Sequence, residues 1–325
     1  MNCLICLKTL PETATSSYHG YCLDRMFGTR KLSLELAESR SDLVTSMPKK
    51  THGFSISGVQ MKAQLKIEKG ELKLVDHGGQ FIMKPSPEEY PNVAENEHAT
   101  LILMGKVGFP VPPCGLLKLK DEHLVFVIRR YDRDFETGEK IHQEDAMQAL
   151  GITNSDSSQK YTAASYQRVI ELVVEHAGVA VAAELLEHIA FSYLVGNDDH
   201  HLKNISFLFD PVFKLTPCYD VLASALYGVS SIESPLALPM LNEGEPKYYR
   251  TMGAGFYAGS DFLKLGIKSG LPEKAVKKRL HALTNKVRKE ASGIINASYM
   301  PESMKADYVE LVTQRLSFMD VMKVE

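Results

Sequence analysis

The densest chemistry in the sequence lies between Val195 and Asp220. There Gly196-Asn-Asp-Asp-His-His-Leu-Lys-Asn204 sets carboxylates, imidazoles and an amide between two apolar runs. Asp199 stands five positions before Asn204, the offset at which a phosphoryl-transfer loop presents a proton acceptor and a metal-binding amide. Asp220, beyond two strand-like segments, supplies a second oxygen ligand. For Asp198 the fifth position is Lys203, so the register selects Asp199 as the base and leaves Asp198 to shape the loop. Magnesium's preference for hard oxygen ligands suits Asn204 and Asp220. An Asx-rich turn between a helix and a hairpin draws on the same residue types. Adjacent His200 and His201 raise a metal-hydrolase alternative, although neighbouring histidines do not share a helical face.

Phosphoryl transfer also needs a cation on the phosphate oxygens and a loop over them. Lys84 ends the strand-like Phe81-Ile-Met-Lys84, in the manner of a phosphate-binding kinase lysine. Glu97 is its expected partner, because it lies four residues from both Val93 and Leu101 and shares their helical face; Glu95 is the second choice. Gly53-Phe-Ser-Ile-Ser-Gly58 can bring backbone N–H groups close to phosphate, though a plain Gly-flanked hairpin fits it equally. Arg129-Arg-Tyr-Asp132 falls where a hinge would offer backbone groups to adenine and Tyr131 for stacking. Gln143-Glu-Asp145 opens the next helix, either facing the nucleotide or capping.

A second constellation sits at the N-terminus. Cys3-x-x-Cys6 and His19-x-x-Cys22 are two close pairs with the spacing of a tetrahedral zinc site. Four protein ligands would leave no open position, so such a site is structural. Leu4, Ile5 and Leu7 interleave the cysteines, and an apolar strand with buried thiols is the alternative.

These groups need elements to position them. The 325 residues, 44% hydrophobic and 24% charged, suffice for a globular chain with two lobes. A net charge of −3 calls for neither a nucleic-acid nor a membrane partner. No apolar run reaches the length of a membrane span and the start lacks a signal-peptide layout. Five cysteines, an odd number, fit a reducing compartment, so a cytoplasmic location is expected. Leu32–Val44 reads as a short apolar segment followed by linker. Short strands are expected at Met61–Ile67, Leu72–Val75 and Gln80–Lys84. A helix capped by Asn92 then runs to Lys106, and strands follow at Gly115–Leu119 and His123–Ile128. Beyond His142 helices are expected at Gln143–Leu150, Ser165–His176, Val179–Val195, Asp261–Ser269, Glu273–Ile295 and Pro301–Phe318, with strands at Ile205–Phe209 and Val212–Leu215 and a long loop around Glu233–Gly244. This organisation is α+β: an N-terminal Cys/His segment over 1–48, a small antiparallel β lobe with one helix over 49–132, and a larger helical lobe over 133–325.

Taken together, Ser55-Ile-Ser-Gly-Val-Gln-Met-Lys62, Phe81-Ile-Met-Lys-Pro-Ser86, Val93-x-Glu-Asn-Glu97, Arg129-Arg-Tyr-Asp-Arg133, His142-Gln-Glu-Asp145, Gly196–Asn204 and Leu215-Thr-Pro-Cys-Tyr-Asp220 resemble the HipA-like serine/threonine kinases, toxins of bacterial toxin–antitoxin systems distantly akin to phosphatidylinositol kinases. The resemblance implies a two-lobed, ATP- and magnesium-dependent protein kinase. It carries over Asp199 as base, Lys84 on the phosphates, and Asn204 and Asp220 as metal ligands. It implies ATP contacts from Ser57, Gly58, Val59, Lys62, Lys84, Arg129, Tyr131, Gln143, His201, Asn204 and Asp220. It further implies autophosphorylation at Ser55 or Ser57, the S-I-S pattern of the compact HipT-like branch, and an aminoacyl-tRNA synthetase as substrate. Longer relatives carry a further segment ahead of the kinase lobe. The compact branch implies instead a separate small HipS-like partner and a HipB-like DNA-binding antitoxin. A lipid or small-molecule kinase and a catalytically silent kinase-fold binding protein are the competing readings.

Overall fold

The computed structural model describes residues 1–34, 36, 38–46, 60–153, 156–209, 212–228, 234–246, 249 and 255–322. Ser55, Ser57, Gly58 and Val59, expected from the sequence to form a phosphate loop, lie outside them. The chain divides into two compact units. The first holds residues 1–140, 218–222 and 293–305; the second holds 141–217, 223–292 and 306–325.

In the first unit, five antiparallel strands form one sheet in the order β2-β1-β3-β5-β4. They are β1 (Ala63–Glu68), β2 (Glu71–Val75), β3 (Phe81–Pro85), β4 (Cys114–Lys118) and β5 (Leu124–Arg129). β1 and β2 join through Lys69-Gly70, both at positive φ, the backbone a tight hairpin turn requires. β3 is central and buried on both faces, with Phe81, Met83, Lys84 and Pro85 all buried. Its register pairs Met83 with Val127 and Lys84 with Phe126, which fixes the lysine in the sheet's middle. Ahead of the sheet come two short helices, α1 (Gly20–Phe27) and α2 (Arg40–Ser46). The expected linker after Leu36 therefore contains a helical turn; Ser39 and Asp42 begin it through reciprocal side-chain to backbone hydrogen bonds, as a capping pair does. Leu36 and Leu43 join the N-terminal residues Cys3, Ile5, Met26 and Phe27 in one core with Leu65, Phe81 and Met83.

Helix α3 (Val93–Val107) is buried on nearly every side, including Glu95, Asn96, Glu97, His98 and Thr100. Expected from the sequence was a helix with one apolar side. The asparagine expected to cap it lies in the left-handed region and makes no side-chain cap. Instead, Ser86 Oγ accepts from Ala94 N at 3.0 Å, so the end of β3 caps the helix that follows it.

In the second unit, Gln143–Asp145 is strand β6, not the opening of a helix. It pairs with β7 (Ser206–Phe209), which pairs with β8 (Phe213–Leu215). Asp145 then caps the single turn α4 (Ala146–Ala149) through a capping box with Gln148. Of the two readings of this acid the structure shows the cap. After α5 (Gln159–Thr162), one long helical stretch, α6 (Tyr166–Leu194), is interrupted at Gly178, φ 80 and ψ 173. The two expected helices are thus both present, joined at the glycine between them. The helices α7 (Gly259–Lys268), α8 (Glu273–Ala297) and α9 (Glu302–Met319) match the closing pattern.

Gly178 occupies backbone space open essentially to glycine alone. Gly178→Ala should lower stability by about 1–3 kcal/mol. Gly293→Ala, inside α8 with nothing within 4 Å of an added methyl, should raise it by about 0.5–1 kcal/mol. Urea unfolding of the two variants checks both signs.

Candidate active site

The first unit builds its site around one ammonium. Lys84 Nζ lies 2.5 Å from Glu97 Oε1 and 2.6 Å from Asp220 Oδ1. The side chains are 6%, 0% and 6% exposed, in that order. Three elements meet here: the end of β3, the second turn of α3, and the segment after β8. Glu97, rather than Glu95, is the lysine's partner. Glu95 instead accepts from Asn92 Nδ2 at 3.3 Å. Lys62 Nζ reaches the other Asp220 oxygen at 3.2 Å. Lys62 reaches in from a partly exposed position and brings the charges to two lysines and two carboxylates, a balance that makes the burial of Lys84, Glu97 and Asp220 tolerable. Burial works against the charged form of Lys84, but Asp220 and then Glu97 outweigh it and hold the ammonium protonated well above its ordinary range. Burial raises Glu97, with Lys84 opposing.

Asp220 carries φ 57, a left-handed backbone that aspartate tolerates better than most residues. A non-glycine residue held there often marks a functional constraint. Its segment is anchored by Cys218 N donating to Pro110 O at 2.8 Å. Tyr219 packs against Tyr131, ring centroids 5.6 Å apart. Arg129, expected near the nucleotide, stacks its guanidinium 3.5 Å above the Phe135 ring.

The second unit builds the polar loop after α6. Asp199 accepts a hydrogen bond from the Tyr161 hydroxyl at 2.7 Å and has His201 Nε2 3.8 Å from the same oxygen. Tyr161 packs edge-on to the His201 ring at 5.0 Å, so α5 fixes both. Asn204 Nδ2 donates to the Asp199 carbonyl at 2.9 Å, tying the two residues of the five-step offset together. That bond orients the amide and keeps its oxygen as the acceptor end. Asp198 is held apart: its N–H donates to Ser224 Oγ at 3.0 Å, and the same hydroxyl meets its carboxylate. Beneath the loop, the His200 ring packs at a tilt against His188 of α6, centroids 4.5 Å apart, and Tyr166 Oη donates to the His200 carbonyl at 2.8 Å. Gln143 sits in β6 opposite Leu208.

Sequence reasoning missed Tyr161, Ser224 and His188. The first two lie in or next to short 3-10 or α turns without periodicity; His188 is visible only as a polar residue on an otherwise apolar helix.

The Cys/His constellation is also assembled. One ligand atom from each of Cys3, Cys6, His19 and Cys22 lies within 4.8 Å of the others.

The family of HipA-like C-terminal domains matches residues 54–291. A putative kinase of Haemophilus influenzae is 32% identical, with 98% of each chain covered. A putative kinase of Sinorhizobium fredii is 32% identical over 54% of this chain and 43% of its own length. The serine/threonine-protein kinase toxin HipA of Shewanella oneidensis is 26% identical over 59% of this chain and 48% of its own. Among solved structures, a chain in the Shewanella oneidensis complex of HipA, HipB and operator DNA has a TM-score of 0.68 at 20% identity, covering 98% of this chain and 77% of that one. The Helicobacter pylori proinflammatory kinase CtkA has a TM-score of 0.54 at 16% identity, covering 85% and 92%. The expected α+β, HipA-like kinase fold is therefore shown; the HipT-like branch is a finer assignment.

Two measurements follow from this geometry. Lys84→Met leaves the Glu97 carboxylate buried without its cation and should cost about 3–5 kcal/mol. Adding Glu97→Leu should recover part of that loss, as denaturant unfolding of the double-mutant cycle will show. Burial pulls the His188 imidazole down to about 4, so below about pH 6.5 the unfolded chain binds more protons than the folded one. Stability should therefore fall as pH drops from about 6.5 towards 4, by up to ~1.4 kcal/mol per pH unit from this group. His188→Leu should flatten that slope in unfolding curves taken across the window.

Proposed function

The chain belongs to the family of HipA-like C-terminal domains, and from that premise we propose that it is an ATP- and magnesium-dependent protein kinase acting on serine or threonine. The observation that carries this is the buried Lys84–Glu97–Asp220 set. A fold that only needed stability would gain as much from apolar residues at these positions, whereas phosphoryl transfer needs a held lysine beside a metal-binding carboxylate.

Asp220 fits a cation, since both its oxygens already draw ammonium groups; Asp220 and Asn204 are the residues that would hold magnesium. Magnesium held by these residues would neutralise charge on the phosphates. Lys84, kept charged and aimed by Glu97, grips phosphate oxygens, and Lys62 adds a second positive charge. Asp199, oriented by Tyr161, accepts the proton of the acceptor hydroxyl as its oxygen attacks the γ-phosphorus and the bond to the β-phosphate oxygen breaks. Asp198, engaged by Ser224, is not the base.

The Shewanella relative is a toxin by name, and a structural neighbour comes from a complex with HipB and operator DNA. These likenesses support a toxin role; inhibition of translation through phosphorylation of an aminoacyl-tRNA synthetase is the substrate reading proposed with it. The complex with HipB supports a HipB-like antitoxin as partner; a small HipS-like partner and a cytoplasmic setting are proposed alongside it. Among the described residues, no helix is long and apolar enough to cross a membrane. Ser55 or Ser57 is the proposed autophosphorylation site. A phosphoserine there would add nearly two negative charges and, if this segment covers ATP phosphates as the phosphate-loop reading has it, lower nucleotide affinity.

Incubating the protein with γ-labelled ATP, magnesium and a bacterial lysate tests the reading. A labelled protein band with phosphoserine or phosphothreonine is expected. Label recovered only in lipid or small molecules would overturn it. Asp199→Asn should lower phosphotransfer by about 10²–10⁴-fold, and Tyr161→Phe by less.

A further inference from the structure

The N-terminal cysteines take no part in the phosphotransfer reading, yet their surroundings are shaped for a ligand. Residues Asn2 and Thr9 pair as an antiparallel bridge, and Cys3 N donates to Lys8 O at 2.9 Å. Cys3 and Cys6 thus sit at the tip of a miniature hairpin. Leu7, immediately after Cys6, is buried and lies at φ 59. That left-handed backbone is strained for a leucine, and such strain clusters at ligand clamps. The second pair comes from a different element. His19 is the N-cap of α1 and Cys22 lies in its first turn.

The four donors converge from these two directions. Cys6 Sγ is 3.4 Å from His19 Nδ1, and Cys3 Sγ accepts from His19 N at 3.4 Å. All four ligand atoms lie within 4.8 Å of one another. A tetrahedral zinc with Zn–S bonds of about 2.3 Å needs its ligand atoms about 3.8 Å apart, so the ion fits after small side-chain shifts. Cys3 and Cys22 are buried, and all five cysteines are free thiols. Cys114 and Cys218 are buried outside the cluster and serve as internal controls.

We propose that Cys3, Cys6, His19 and Cys22 bind one zinc ion in a closed, structural site. Three thiols lose their protons to the solvent as the ion binds, and no coordination position remains for a substrate. The ion fixes the hairpin tip against the sheet and against α3. Leu116 N of β4 donates to Leu4 O at 2.8 Å. A methyl on Gly115 would lie 2.7 Å from Ile5 Cγ1, so only glycine permits this approach. His98 Nε2, buried in α3, donates to the Ile5 carbonyl at 2.9 Å. His98 directly follows Glu97, so the tip supports the helix that holds the lysine's partner.

Metal content of the full chain, expressed with added zinc and purified under reducing conditions, tests this without reference to kinase activity. One zinc per chain is expected. Cobalt exchanged into the site should give thiolate charge-transfer bands and the intense visible bands of tetrahedral coordination. Cys6→Ser should weaken metal retention at least tenfold in chelator competition, while Cys114→Ser and Cys218→Ser should leave it unchanged. Should Cys6→Ser fail to fold, the wild-type stoichiometry and cobalt spectrum still decide. Absence of metal together with no cobalt spectrum would overturn the proposal, as would undiminished retention in a Cys6→Ser/His19→Ala variant or a disulfide within the cluster.

Discussion

The first unit depends on keeping one ammonium charged where water scarcely reaches. Lys84 loses most of its hydration at the centre of the sheet, and an isolated ion there would neutralise or expel itself. Glu97 and Asp220 prevent that, at 2.5 and 2.6 Å. Each in turn needs the lysine, because burial alone pushes a carboxylate towards its neutral form. The arrangement contributes little net stability against apolar substitutes. What it secures is position: a donor whose direction is fixed in advance, as the proposed grip on phosphate oxygens requires.

Much of the surrounding architecture serves that geometry. β3 lies between β1 and β5, and Lys84, one residue beyond the β1 pairing, stays paired with Phe126 of β5. Helix α3 is buried on nearly all sides, which holds Glu97 without freedom to turn away. Ser86, one residue beyond β3, caps α3 and so links the lysine's strand to the glutamate's helix. In the second unit, the same economy appears in the polar loop. Tyr161 aims Asp199, Asn204 is tied to the Asp199 backbone, and the neutral imidazoles of His188 and His200 form the floor.

The Lys84–Glu97 pairing was legible because helical spacing puts Glu97 on the face of Val93 and Leu101, and a buried acid needs a cation. The break at Gly178 was legible as a glycine between two apolar helical runs. The choice of Asp199 over Asp198 followed from register, and the two carboxylates do occupy different hydrogen-bond settings. Strand β6 was not legible, because Gln143-Glu-Asp145 has neither alternation nor β propensity; only its pairing with β7 makes it a strand. Asn92 looked like a cap by residue type, but Ser86, distant by six positions in sequence, takes the role through tertiary contact. The contact of Lys62 with Asp220 depends on a chain separation of 158 residues, which no local pattern records.

In the proposed mechanism Asp220 serves metal and nucleotide binding while Asp199 serves proton transfer. Calorimetric titration of ATP with magnesium into Asp199→Asn and Asp220→Asn separates these roles. Asp199→Asn should bind with nearly wild-type affinity despite failing to transfer phosphate, and Asp220→Asn should lose the magnesium-dependent part of the affinity. Equal binding of magnesium–ATP by wild-type and Asp220→Asn proteins would contradict the role proposed for Asp220.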